Sequence, residues 1–330
     1  MIHRKAIKTK TESQNQMLFV RSFLVATMKL VLAATVIYFA GRELVINWSN
    51  ISQYHWTINP LLIVLSVVFH LITFVVLSKM WCLVMKAFGF DVPLKYGFKF
   101  AYIATLGRYI PGRIWPIFGM VYLLKQININ KEIAFASWGI ATIFGLPPAF
   151  LAGFITFSFY PQMLSGALSS NPGITPFVAV AVAFAASILL ILAPDKAIVL
   201  FNWILKVLKR PPVQFKLGKK VALQVYLGYF IGWICYGISF YIFMNAIMDK
   251  PNIPVIAGVG SFVMAYIIGY LAIFSPGGFG ARELVLTTAL YPFLGSIASG
   301  VAVAARAWNL ISEFIAVAIA LLIKLEKGKE

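Results

Sequence analysis

The chain has 330 residues, of which 61% are hydrophobic and 12% charged, about half the charged share of an ordinary soluble domain. This composition excludes a soluble protein and predicts an all-α, polytopic integral membrane protein with no soluble domain of any size. The net charge of +18 does not indicate nucleic-acid binding, because the basic residues lie mostly at the ends of apolar segments, as in the cytoplasmic loops of membrane proteins.

The first half of the chain predicts a cytoplasmic tail, three spans and one interrupted segment. Basic residues mark 1–21 as the tail, and the spans at 22–40 and 59–78 have about the 20 residues that cross a bilayer. Residues 96–126 consist instead of two short apolar pieces on either side of the sequence Gly107-Arg-Tyr-Ile-Pro-Gly-Arg-Ile-Trp115. Neither piece is long enough to span, so we expect a re-entrant helical hairpin there.

The next stretch, residues 133–194, contains no Asp, Glu, Lys or Arg. We divide it into two spans, at about 134–159 and 174–193, joined by an outer loop. The first span completes the first half of the chain, residues 22–160. Residues 195–210 place their charged side chains within one arc of a helix, which predicts an amphipathic helix lying on the cytoplasmic surface.

The rest of the second half repeats the pattern of the first. A span at 221–248 is followed by apolar segments at 254–274 and 281–293, which flank the sequence Ser275-Pro-Gly-Gly-Phe-Gly-Ala-Arg-Glu283. We expect a second re-entrant hairpin around this Pro-Gly motif. The last span covers 296–323.

The order of these elements predicts two inverted structural repeats, residues 22–160 and 174–325. Each half crosses the membrane an odd number of times, so two halves in tandem have opposite orientations. We therefore expect one membrane domain over 22–325 with six full spans and two re-entrant hairpins. The tails at 1–21 and 326–330 are then both cytoplasmic.

The second Pro-Gly motif contains two charged residues whose burial in the membrane is energetically unfavourable. Arg282 and Glu283 interrupt a long uncharged stretch, and charged side chains at membrane depth cost about 2.5–3.5 kcal/mol each, so they normally face protein or a watery cavity. Gly277, Gly278 and Gly280 permit a positive φ. A helix starting near Gly280 would direct free N–H groups at the motif. Together with Arg282, these amides predict a binding site for an anion such as a lipid phosphate.

Further polar residues lie at the first motif and in the last span. Arg306, Asn309 and Glu313 follow i, i+3, i+7 spacing, so they share one helix face, which we expect to point into the bundle. Arg108 and Arg113 lie within the first motif. Four arginines then accompany two glutamates, and the buried charge has an excess of two positive units.

This excess leaves two interpretations open. In the structural one, Arg282 pairs with Glu283 and Arg306 pairs with Glu313, while the two arginines of the first motif lie near a surface. In the functional one, an anionic ligand balances the excess, because the planar donor fork of arginine suits phosphate.

Together the two motifs and the sequence Ala304-Ala-Arg306 with Glu313 resemble the transmembrane region of lysylphosphatidylglycerol synthases and their flippase-like relatives. The resemblance covers nearly the whole chain, and it implies translocation of a lipid such as an aminoacylated phosphatidylglycerol or a glycosylated isoprenoid lipid. The soluble aminoacyltransferase domain of the synthases does not follow before Glu330, so synthase activity is not expected. Many members also carry an arginine where this chain has Met120.

The first functional hypothesis is a flippase or scramblase-like transporter in the cytoplasmic membrane of a prokaryote. It would move an anionic phospholipid or a lipid-linked glycan, with membrane lipids and a lipid-modifying transferase as partners. The candidate ligand-binding residues are Arg108, Arg113, Gly277, Gly278, Gly280, Arg282, Glu283, Arg306, Asn309 and Glu313.

The second hypothesis is a membrane-embedded glycosyl- or phosphotransferase, or a subunit that presents lipid to one. The ten acidic residues are dispersed, and the sequence contains no Asp-x-Asp pair, histidine cluster or Ser/His constellation. We therefore expect no catalytic residue, metal site or cofactor.

Overall fold

The computed structural model describes residues 38, 41–42, 45–110, 114–164, 175–207, 209–272 and 275–325. All regular secondary structure in these ranges is helical, so the all-α prediction is confirmed for them. Both predicted tails, Arg113 and nearly all of the predicted span at 22–40 lie outside the described residues.

The α-helices in these ranges are numbered here in chain order. They are α1 Trp48–Gln53, α2 Pro60–Ala87, α3 Leu94–Thr105, α4 Trp115–Lys125, α5 Lys131–Phe159, α6 Thr175–Leu192, α7 Asp195–Val207, α8 Lys219–Ile247, α9 Val255–Leu271, α10 Ala281–Leu294 and α11 Ile297–Leu322. Short 3-10 helices cover Leu106–Tyr109, Pro161–Leu164 and Pro276–Gly278.

Among the described helices, α2, α5, α8 and α11 are long and apolar enough to cross a membrane. Helices α6 and α7 together make a fifth candidate, but they meet at a bend of 100°. If α6 crosses the bilayer, α7 lies roughly parallel to the membrane plane. Helix α7 begins at Asp195, where the sequence predicts the amphipathic helix, and ends at Val207 rather than at 210.

Two of the spanning helices begin at asparagine caps. The side chain of Asn59 accepts a hydrogen bond from the Leu62 amide at 3.2 Å, and Pro60 occupies the first turn of α2. Asn130 does the same for the amide of Ile133 at the start of α5, at 3.0 Å. These side chains satisfy N–H groups that have no partner within the helix, and so fix where each helix starts.

Two pairs of short helices lie on either side of the Pro-Gly motifs. Helices α3 and α4 have 12 and 11 residues, or roughly 18 and 16 Å, well below the ~30 Å of a hydrocarbon core. Helices α9 and α10 have 17 and 14 residues. We call residues 106–114 the first break and residues 272–280 the second break.

The packing of the helices brings the two breaks together. Helices α2 and α8 pack against each other more extensively than any other pair of described helices. Helix α3 packs on α2 and α11, while α9 packs on α8 and α5. Helix α3 packs on α4, and α9 packs on α10. The second helix of each pair contacts the long helix that follows it, α4 with α5 and α10 with α11. The 3-10 segments of the two breaks are in direct contact.

The described outer surface of the bundle carries many large apolar side chains. Along α2 a stripe of large apolar side chains is exposed, including Leu61, Val64, Val68 and Ile72, as expected for a lipid-facing surface.

Glycines allow close approach between helices in the interior. A Cβ on Gly237 of α8 would lie 2.6 Å from the carbonyl oxygen of Val259, and a Cβ on Gly260 of α9 would overlap the Thr156 side chain. Small residues at such crossings are typical of membrane helix packing.

Candidate functional site

The polar residues of α11 line a buried face in the middle of that helix. Arg306, Asn309 and Glu313 have only 8%, 2% and 4% of their surface exposed. The large exposed side chains of the same helix, including Ile311 and Phe314, are apolar. The predicted inward-facing stripe is therefore confirmed.

Arg108 links the first break to this face. Its Nη2 lies 3.1 Å from Oε1 of Glu313, and its Nη1 donates to the Tyr266 hydroxyl at 3.1 Å. The other carboxylate oxygen, Oε2, accepts a hydrogen bond from the Tyr109 hydroxyl. Asn309 Nδ2 donates to Oε1 at 2.7 Å. Both oxygens of Glu313 are thus engaged, and the charge of Arg108 is balanced.

A second layer of side chains fixes the orientation of Asn309. The Tyr236 hydroxyl donates to Asn309 Oδ1 at 2.6 Å, so the amide nitrogen is directed at Glu313. The Tyr236 ring lies 4.6 Å from the ring of His70, whose Nδ1 is 3.2 Å from Ser239 Oγ. We assign His70 to this packing layer, in line with a structural role.

Arg306 links the second break to the same helix. Its Nη2 donates to the carbonyl oxygen of Gly277 at 3.0 Å, and its Nε lies 3.4 Å from Glu283 Oε1. The guanidinium carbon lies 4.1 Å from the centre of the Phe279 ring. Glu283 Oε2 in turn accepts from the Gly280 amide at 2.6 Å. Helix α11 therefore holds both breaks, one through a carboxylate and the other through a guanidinium.

The charge pairs differ from those of the structural interpretation drawn from the sequence. Arg306 pairs with Glu283 and not with Glu313, which lies two helical turns and about 10 Å further along the axis of α11. Arg282 does not pair with Glu283, because adjacent residues on a helix face different directions. Tertiary packing, which brings α10 and the first break onto α11, decides both partners.

Arg282 makes neither an ion pair nor a hydrogen bond with any described residue. Its guanidinium carbon lies 4.0 Å from the centre of the Tyr266 ring, a cation–π contact, and its Nε is buried without a hydrogen-bond partner. Because Arg108 and Arg306 are both paired with glutamates, the positive excess of the described site lies on Arg282.

A cavity of about 420 Å³ lies between the two breaks. Arg108 and Arg282 both contribute to its wall, together with Gly277 of the second break. No Asp or Glu is among the described residues that line it. The remaining described lining residues are Thr105, Ile114, Pro116, Trp138, Thr142, Leu146, Tyr266, Tyr270 and Leu271. The cavity is therefore apolar in most of its wall and positive at one end.

The glycines of the second break have the predicted backbone conformation, with φ of +59° at Gly277, +73° at Gly278 and +81° at Gly280. The prediction that the break presents free amides is wrong for two of them. The Gly280 N–H is bound by Glu283, and the Gly278 N–H donates to the Ser275 carbonyl at 3.1 Å. The side chain of Glu283 caps its own helix, and this capping removes the amide from the predicted anion site.

The aromatic residues of the site were not predicted from the sequence. Tyr109, Tyr236, Tyr266 and Phe279 all contact one of its charged groups or Asn309. The available signal was the position of two tyrosines in the middle of apolar helices, away from the membrane interfaces where tyrosine usually lies.

Comparison with known families gives one match. The family described as the lysylphosphatidylglycerol synthase transmembrane region matches residues 26–320. No curated protein sequence matches the chain.

Proposed function

The chain belongs to the lysylphosphatidylglycerol synthase transmembrane-region family, and from this premise we propose that it moves a lipid across the membrane. The cargo is an anionic phospholipid or a lipid-linked glycan, and the movement is of the flippase or scramblase type. The membrane is the cytoplasmic membrane of a prokaryote, with both termini on the cytoplasmic side.

The observation that carries the proposal is the free guanidinium of Arg282 in the wall of the cavity. A charge at membrane depth without a counter-ion is costly, and a lipid phosphate entering the cavity would supply the counter-ion. The guanidinium offers parallel N–H donors that fit two phosphate oxygens. Arg108 lines the same cavity but is neutralised by Glu313, so Arg282 carries the main attraction.

We infer that the two halves of the chain are inverted repeats, each with a re-entrant hairpin. The packing supports this inference, because exchanging α2 with α8, α3 with α9, α4 with α10 and α5 with α11 converts the main contacts into one another. The contact of α3 with α11, for example, becomes the contact of α9 with α5. Transporters built from such repeats bind substrate where the broken helices meet, which is where the cavity lies.

In the proposed cycle the phosphate of the lipid is held in the cavity between the breaks. It enters the cavity from one leaflet and binds Arg282, while the acyl or isoprenoid chains stay in contact with the apolar outer surface of the bundle. Rearrangement of the two breaks about α11 then opens the cavity to the other leaflet. We propose that no chemical step, cofactor or metal takes part.

Reconstituted liposomes test the proposal against a transferase. We expect a fluorescently labelled phosphatidylglycerol to move between leaflets without any added donor substrate. Product formation that depends on a donor, with no lipid movement, would favour the membrane-embedded transferase instead.

The role of Arg282 is tested with two variants in the same assay. Arg282→Gln removes the charge and should reduce lipid movement at least a hundredfold, since a charge-assisted, bidentate contact with phosphate is lost. Arg282→Lys keeps the charge but loses the bidentate geometry and should retain partial activity. Wild-type movement by a monodisperse Arg282→Gln protein would refute the phosphate role.

A further inference from the structure

The side chain of Arg282 crosses helix α9 at a glycine. That glycine, Gly269, is buried. A Cβ on Gly269 would overlap Cγ of Arg282, and it would lie 2.9 Å from Nε and 3.1 Å from Cδ of the same side chain. Outside the backbone of its own helix, the three atoms nearest to that position therefore all belong to Arg282. The space that a side chain at position 269 would fill is occupied by this one arginine.

The second break encloses the same side chain from another direction. A Cβ on Gly278 would lie 2.9 Å from the carbonyl oxygen of Gly269, so the break approaches α9 closely at this point. The same Cβ would lie 3.0 Å from Nε of Arg282. The arginine side chain thus lies between two glycines, one in α9 and one in the break. We call Gly269 and Gly278 the glycine groove.

The groove leads the guanidinium of Arg282 to the cavity between the breaks. Tyr266 lies three residues before Gly269, so the two residues share one face of α9. The guanidinium carbon of Arg282 lies 4.0 Å from the centre of the Tyr266 ring, and both residues line the cavity. The Tyr266 hydroxyl accepts a hydrogen bond from Arg108, which fixes the ring against which the guanidinium lies.

The groove has an energetic consequence for binding. Glycine in the interior of a helix is unfavourable, so its presence at position 269 is explained by the side chain for which it makes room. A long side chain that makes no ion pair has many rotamers, and restricting them on binding has an entropic cost. A groove that already restricts Arg282 in the free protein lowers this cost for a ligand that binds the guanidinium.

We propose that Gly269 is a positioning residue for the anion site, because it lets Arg282 lie across α9 with its guanidinium on the Tyr266 ring and in the wall of the cavity. The inference rests on the proposed function, in which Arg282 binds the lipid phosphate. Binding then depends on the charge of Arg282 and also on the space that orients it. A protein that keeps this charge but has a side chain at position 269 binds phosphate poorly.

A thermal unfolding cycle tests the groove without reference to any lipid. Gly269→Ala should lower the unfolding temperature, because the new methyl group overlaps Arg282. In an Arg282→Ala background the same substitution should not lower it, since the overlapping atoms are gone and alanine is the better helix former. Equal shifts in the two backgrounds would overturn the proposal, because the methyl group would then meet something other than Arg282. Failure of both the single and the double variant to fold would overturn it for the same reason.

Lipid measurements test the positioning role. We expect Gly269→Ala to reduce the movement of labelled phosphatidylglycerol in liposomes at least tenfold, because a displaced guanidinium loses its bidentate contact with phosphate. Retention of phosphatidylglycerol by the purified protein, measured by native mass spectrometry, should fall by a similar factor.

Gly258→Ala is the matched control in the same helix. A Cβ on Gly258 would lie 2.8 Å from the Tyr241 ring, and the site is about 16 Å from Gly269 along the axis of α9. This variant should lose stability but keep lipid movement and retention within twofold of the wild type. Wild-type retention by a folded Gly269→Ala protein, or an equal loss of retention in Gly258→Ala, would overturn the positioning role. If the wild type retains phosphatidylglycerol without moving it, and Gly269→Ala and Arg282→Gln both lose this retention, the positioning role stands and the proposed transport fails.

Discussion

The two breaks have the same place in the order of helices but different electrostatic roles. At the first break, Arg108 is bound by Glu313 and by the Tyr266 hydroxyl, and the neighbouring Tyr109 binds the same carboxylate. At the second break, Arg282 has no ion-pair partner among the described residues, and its guanidinium lies against the face of the Tyr266 ring. The comparison shows that one buried arginine is neutralised by a carboxylate of the protein, whereas the other has no counter-charge among the described residues.

The difference originates in the last helix of each half. Helix α5 contains no charged residue after its first two positions, Lys131 and Glu132, whereas α11 carries Arg306 and Glu313 at its centre. Helix α11 therefore supplies a charged partner to both breaks, Glu313 to the first and Arg306 to the second. No comparable charge on α5 is available to Arg282, which is why that guanidinium remains free.

The largest expected effect comes from removing the partner of the first break. Glu313→Gln should destabilise the protein by about 3–5 kcal/mol, because it leaves Arg108 buried without a counter-charge. Thermal unfolding in detergent would measure the loss. Arg282→Gln is the matched control at the second break, where no ion pair is broken, so its stability should change little or rise.

A second substitution, which removes the other charge of the pair, tests whether the loss of stability comes from the unpaired charge of Arg108. The double variant Glu313→Gln/Arg108→Met removes both charges of the pair and should recover most of the stability lost in the single variant. If Glu313→Gln and Arg282→Gln unfold at the same temperature as the wild type, the first break is not held by its ion pair and the electrostatic distinction between the breaks fails.

A smaller effect is expected from the backbone of the second break. Gly277→Ala places a side chain at φ +59°, and its Cβ would lie 2.8 Å from the Tyr109 ring. Gly89→Ala is the matched control, because Gly89 follows the end of α2 with a positive φ of +89° but has open space around its Cβ position. Its amide and that of Phe90 donate back to the last turn of α2, as in helix ends that have a left-handed residue. The left-handed conformation alone costs about 1–2 kcal/mol, so both variants should lose this amount.

Any additional loss of stability in Gly277→Ala, beyond the backbone cost, measures how tightly the two breaks are packed on each other. We expect the loss of stability in Gly277→Ala to exceed that in Gly89→Ala by at least about 1 kcal/mol, roughly the cost of overpacking, in the same thermal unfolding assay. Equal losses in the two variants would mean that Tyr109 moves aside freely and that the contact between the breaks is loose.

The sequence was sufficient for the features that depend on local pattern. Composition predicts helices throughout, the charged arc after residue 194 predicts the start of α7, and the spacing of Arg306, Asn309 and Glu313 predicts their common buried face. Glycines in the Pro-Gly motif predict the positive φ values of the second break. Each of these follows from residues within a few turns of one another.

The partners within the site could not be predicted, because they depend on packing between distant segments. Glu313 binds Arg108 from about 200 positions earlier in the chain, and its spacing from Arg306 on the same helix made the wrong pair look equally suitable. The capping of Gly280 by Glu283 was also missed, although its three-residue spacing is the signal of such a cap. The cavity between the breaks involves side chains from more than five elements, which no local pattern reveals.

The variants with the smallest expected effect on lipid movement test whether the two breaks have opposite orientations in the membrane. Single cysteines at Gln126 and Asn252, in a background without Cys82 and Cys235, would lie at exposed ends of the first and second short helix pairs. If the halves are inverted, the first pair opens to the cytoplasm and the second to the outside. A membrane-impermeant maleimide added to intact cells should then label position 252 and leave position 126 unlabelled until the membrane is permeabilised.

Both cysteines lie far from the cavity, so lipid movement should be unchanged. Labelling of both positions from the same side would exclude inverted repeats, because two halves with the same orientation present equivalent ends to the same side of the membrane.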